Sequence, residues 1–102
     1  GGSVDEARLA SETLTWLEAN GYGDLVRQSV VALNTATQGT NLVKLDEIEA
    51  HFKSRVRAVV KIPYDPALAA GSVIKFDQLH RNTREAAREL AALVVEGLTK
   101  SN

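Results

Sequence analysis

Apolar residues recur at helical spacing through the first stretch of the chain. Val4, Ala7, Ala10, Leu14 and Leu17 form one stripe, and Leu9, Thr13 and Trp16 widen it. This period predicts an amphipathic helix from about Val4 to Asn20. Ser3-Val4-Asp5-Glu6 has the form of a capping box at its start, and Asn20-Gly21 is a natural stop. Tyr22 to Arg27 reads as a connector with room for one helical turn.

The pattern then changes. Ser29-Val30-Val31-Ala32-Leu33 is a short continuous apolar run, β-branched at its start, as expected of a strand buried on both faces. A polar loop from Thr35 to Thr40 follows. Leu45, Ile48, Glu49 and Phe52 mark a second helix, with Asp46 and Glu47 expected in its first turn and Lys53 and Arg55 near its end. Val56 to Ile62 alternates as a second strand: Val56, Ala58, Val60 and Ile62 on one face, Arg57, Val59 and Lys61 on the other. Strand, helix, strand implies parallel pairing through a right-handed crossover. Pro63 and Pro66 interrupt regular structure, and Ala67 to Gly71 has the length of one short turn. Val73 to Phe76 is apolar but too short to assign. Asn82-Thr83-Arg84-Glu85 repeats the capping-box form ahead of a last helix, with Ala86, Ala87, Leu90, Leu93 and Val94 as its stripe and its end near Gly97. Arg84, Glu85, Arg88 and Glu89 alternate in sign on its outer face, as a solvated surface does. The predicted fold class is α/β: a three-layer fragment of order α-β-α-β-α with a small parallel sheet. Two parallel strands make a poor sheet by themselves. The expectation is therefore either exposed strand edges or edges satisfied by a second copy through strand exchange or dimerisation.

Composition narrows the function classes. At 102 residues the chain is one small domain with a thin core. A formal net charge of -1, with both signs mixed, argues against a dedicated nucleic-acid surface. No apolar run approaches the roughly 18 residues of a membrane span. No basic-then-apolar leader opens the chain, and the expected location is the cytoplasm, without direct membrane contact. Cysteine is absent, which excludes disulfides and Cys-zinc sites. Methionine is also absent, so the chain is expected to be a piece of a longer protein. Residues 1–3, Gly1-Gly2-Ser3, read as a linker scar, and residues 4–102 as the subdomain proper.

Candidate chemistry gathers at the strand ends. The first strand ends in Leu33-Asn34-Thr35 and the second in Ile62-Pro63-Tyr64-Asp65-Pro66. The carboxyl ends of parallel strands are where α/β proteins place ligand-binding groups. An amide such as Asn34 carries both a donor and an acceptor, but Asn is also an ordinary strand-ending turn residue. Pro63-Tyr64-Asp65-Pro66 presents backbone carbonyls with little entropy left to lose, and equally makes a rigid turn. Tyr64 can stack on a ring or cover the core edge, the second being the expectation. His51 and His80 have no partner at metal-ligand spacing and read as surface or capping residues. Thr35-Ala36-Thr37-Gln38-Gly39-Thr40 lacks the Gly-Lys pair of a phosphate loop. Asp24, Asp46 and Asp77 are carboxylates whose pairing the sequence does not reveal. Trp16 is expected to pack against a neighbouring element.

The segments Val30 to Asn34, Val59 to Gly71 and Thr83 to Ala87, with Ala10-Ser11-Glu12-Thr13-Leu14-Thr15-Trp16-Leu17 ahead of them, together resemble the carboxyl-terminal part of MinD/ParA-type ATPases. These are deviant Walker P-loop proteins. The closest flavour is the actinobacterial MinD-like group, some of which accompany type VII secretion genes. The likeness rests on the order and spacing of motifs over nearly the whole chain, none of them specific alone. It implies that Asn34 recognises an adenine base and that Pro63, Tyr64 and Asp65 pack against it. It also implies that ATP is the cofactor of a parent protein. The phosphate loop, the signature lysines and the magnesium-holding aspartates have no counterpart here, so the fragment is expected to bind no cofactor and to be inactive alone. The implied partners are the rest of the ATPase domain, a second copy, and a secretion or partition protein. The rival reading is a protein-interaction module with no nucleotide role. A stand-alone enzyme is a weaker third, because no nucleophile–base pair is visible in the sequence.

Overall fold

A computed structural model describes residues 3–35, 42–71 and 73–100. Its elements are α1 (Ser3–Ala19), α2 (Gly23–Gln28), β1 (Val30–Asn34), α3 (Leu42–Lys53), β2 (Ala58–Ile62), α4 (Pro66–Ala69) and α5 (Arg81–Lys100), with a 3-10 turn at Phe76–Gln78. The class is mixed α/β, mostly helical. Two short helices appear where the sequence suggested single turns. The loop beyond Thr35 that was weighed as a phosphate loop lies outside the described residues, as does the Ser3 side chain of the first capping box.

β1 and β2 pair as a two-stranded sheet. Arg57 N–H donates to Ser29 O at 2.9 Å, and Thr35 N–H donates to Ile62 O at 3.0 Å. Residue number rises together along both strands, so the pairing is parallel, as the crossover implied. One expectation fails here. Ala32 and Asn34 are exposed and the rest of β1 is half-buried, so β1 is not covered on both faces. With one neighbour among the described strands, β1 lacks the surroundings its composition suits. β2 follows its alternation more closely, with Val60 buried and Lys61 exposed.

The chain divides into two compact units. The first comprises Gly1–Val31 and Asn41–Val59. Its buried apolar residues are Leu14, Val26, Leu45, Phe52 and Val56. Leu14 comes from the predicted α1 stripe, whereas Leu9 and Trp16 stand on the other side, 60% and 59% exposed. The widened stripe was thus two faces, of which the fold covers one. Trp16 does not enter the core; it stacks on Tyr22 with ring centroids 6.5 Å apart. Gly21 ends α1 with φ +90, a conformation that glycine adopts without a Cβ penalty. α3 starts at Leu42, so Asp46 and Glu47 lie one turn further in than expected, and no acid occupies its first turn.

The second unit comprises Ala32–Thr40 and Val60–Asn102. Val60, Asp65, Leu79, Thr83 and Ala86 are buried in it. α5 begins at Arg81, so Asn82 lies inside the helix and does not cap it. Glu85 turns instead to Arg81, its Oε1 3.1 Å from Nε. The helix also runs past Gly97 to Lys100. A single glycine costs a helix only about 1 kcal/mol relative to alanine, too little by itself to end one.

Candidate functional site

The sequence-predicted site residues all belong to the second unit. The Thr35–Ile62 hydrogen bond joins the two strand ends, so Asn34 and Pro63 sit on neighbouring strands at the carboxyl edge of the sheet. Asn34 is exposed, and its carboxamide makes no hydrogen bond among the described residues. Pro63 and Tyr64 are half-buried.

Asp65 differs from them. It is 2% exposed. It caps α4: Oδ1 accepts from Ala67 N–H at 2.9 Å, with Pro66 in the first turn. Oδ2 accepts from His80 N–H at 2.8 Å, tying the turn after β2 to the start of α5. Both oxygens therefore serve the chain's own backbone. The His80 N–H holds the Asp65 carboxyl below its ordinary value against the opposing effect of burial. The Thr83 hydroxyl, the Ala67 N–H and the nearby His80 side chain add to it. Thr83 Oγ1 lies close enough to favour the charged carboxylate, but it falls short of hydrogen-bond geometry and stays buried without a partner. Arg84 donates to Leu79 O, and the Arg88 guanidinium lies 5.1 Å from the Phe76 ring centroid. Together these fix the segment between α4 and α5.

The first unit holds a constellation that sequence reasoning missed. Ser11 Oγ of α1 lies 3.0 Å from His51 Nε2 of α3. Arg55 Nη1 donates to Ser11 Oγ at 3.0 Å and to Ser11 O at 3.2 Å. Its Nη2 donates to Thr15 Oγ1 at 3.1 Å and to Glu18 Oε1. Ser11 and His51 border an open groove of about 320 Å³ between α1 and α3, with Ala7, Ile48 and Phe52 as its apolar part. Forty residues separate Ser11 from His51, and no spacing rule joins them; of this cluster the sequence pattern singled out only Arg55, as a base near the end of a helix, and His51, as a surface or capping residue. The pair is not arranged for acyl transfer. Ser11 lies within a helix whose N–H groups serve the helical ladder, leaving none for an oxyanion. His51 Nδ1 has no orienting partner among the described residues. The cluster's evident role is to hold α1 against the end of α3.

Among the described residues no group of three or more His, Asp or Glu could hold a metal ion. None of the described helices is long and apolar enough to cross a membrane.

No family model matches the chain, and no solved structure matches it. The chain is similar to the ESX-1 secretion-associated protein EspI, found in two strains of Mycobacterium tuberculosis. It is 34% identical to that protein over 101 residues. The alignment takes in 97% of this chain and 15% of the relative, so the chain spans a small part of the protein it resembles.

Proposed function

We propose that this chain is the adenine-side subdomain of a MinD/ParA-like ATPase associated with type VII secretion. The observation that carries the reading is the 3.0 Å bond from Thr35 N–H to Ile62 O, which sets Asn34 beside Pro63 at one sheet edge. The exposed amide of Asn34 offers a donor and an acceptor to the adenine edge, and the Pro63-Tyr64 turn offers backbone carbonyls and a ring. Asp65 contributes by holding that turn rather than by reaching the base. The name of the secretion-associated relative supports the cellular setting. The chain contains no Gly-Lys phosphate loop. Phosphates and magnesium would be held elsewhere in a longer protein, where most of the catalysis of phosphoryl transfer resides.

The test uses that longer protein. Fluorescent ATP is titrated into it with Asn34 intact and with Asn34→Ala. Loss of a paired amide contact to a base costs about 1–3 kcal/mol, roughly 5- to 150-fold in affinity. The preference for ATP over GTP should fall with it. Equal affinity and equal ATP/GTP discrimination in the two proteins would refute the reading.

A further inference from the structure

We propose that the exposed face of α1 carrying Leu9 and Trp16, continued by Tyr22, is a docking surface for a basic amphipathic helix. This goes beyond the nucleotide reading and does not rest on it. Asn34 is not part of the face, and Asn34→Ala would leave docking unchanged.

Seven residues separate Leu9 from Trp16, close to two full turns, so both project to the same side of α1, about 10.5 Å apart along its axis. That side faces away from buried Leu14. Tyr22, 47% exposed, stacks on Trp16 and leads into α2, whose Leu25 is also exposed. Tryptophan and tyrosine dominate interface energetics when a partner covers them, and here both stand in solvent. Charge identifies the partner. Glu6 and Glu12 lie three residues either side of Leu9, which turns each about 60° off the apolar line on opposite flanks. Neither has an ion-pair partner among the described residues. Four carboxylates stand against one arginine along α1. An apolar line between unpaired acids is the complement of an apolar line between lysines or arginines.

Trp16 is the chain's single tryptophan, so its fluorescence reports on the face directly. The probe is a synthetic Leu/Lys peptide about 18 residues long, roughly 27 Å as a helix, with its leucines at helical spacing. The comparison peptides are one of the same composition with leucines dispersed around the helix, and one with Glu in place of Lys. The expected result is a saturable shift of emission to shorter wavelength with the first peptide alone. Read through a label on the peptide, Trp16→Ala should weaken binding at least about tenfold. The double variant Glu6→Gln/Glu12→Gln should weaken it about threefold or more, and raising the salt should weaken the parent chain most. Both variants change exposed residues, and far-UV circular dichroism confirms their folding. Equal binding of the dispersed peptide, equal binding of the Glu peptide, or indifference to both variants overturns the proposal. So does an emission shift that follows the chain's own concentration without peptide, which would make a second copy the occupant.

Discussion

Removing the Arg55 side chain should loosen the packing of α1 against the end of α3. The guanidinium is held by three successive turns of α1, through Ser11, Thr15 and Glu18, and the side chain is only 16% exposed. Each charge-assisted bond is worth more than a neutral one, but the acceptors limit the loss. Thr15 Oγ1 retains its bond to Ser11 O, Ser11 Oγ retains His51, and Glu18 is 45% exposed, so its charge returns to water when Arg55 goes. No buried acceptor is orphaned. The Glu18 pair itself, screened by solvent, contributes at most about 1 kcal/mol. Most of the cost is the lost fork and the packed stem, and Arg55→Ala should destabilise by about 1.5–3 kcal/mol. For a domain of this size that lowers the Tm by roughly 6–20 °C. Arg55→Lys should recover less than half, because an ammonium cannot bridge three turns as a planar fork does. Thermal and urea melts followed by far-UV circular dichroism measure both. A Tm change under about 2 °C for Arg55→Ala, or full stability in Arg55→Lys, would refute the assignment of the fork as the tie.

Three further predictions concern stability. Asp65 titrates below its ordinary value in the folded chain, so its contribution is complete above about pH 4 and is lost as pH falls through the folded value. Asp65→Asn should therefore lower stability at pH 7, with the gap to the parent narrowing in strong acid; urea melts at both pH values would contradict this if the gap stayed constant. Thr83→Val should lower stability at pH 7, because it removes a hydroxyl that favours the charged Asp65 carboxylate, and the loss should shrink in strong acid; a gain in stability at pH 7 would mean that the hydroxyl is only an unpartnered buried group. Val26→Ala should cost about 2–3 kcal/mol, from two buried carbons and the cavity they leave, with an unchanged denaturant slope.

The sequence by itself determined the class and order of the main elements, because hydrophobic period is a local property. The helical period of α1, the strand ending at Ile62 and the crossover between the strands each lie within one segment, and the fold has the helix, the strand and the crossover there. The strand-end residues were legible for the same reason: parallel pairing brings Asn34 to Pro63 once two strands and a crossover are read. Only the tertiary structure decided which of two apolar faces of α1 would be covered. Leu14 and Trp16 look alike in the pattern, yet one is buried and the other stands in solvent. It alone assigned Asp65 to the His80 backbone fifteen residues on, and Ser11 to His51 and Arg55 across forty residues and more. Those contacts depend on how helices cross and where turns end, which no period encodes. β1 shows the converse: its apolar composition asks for neighbours on both faces, and packing, not composition, set how much of it is covered.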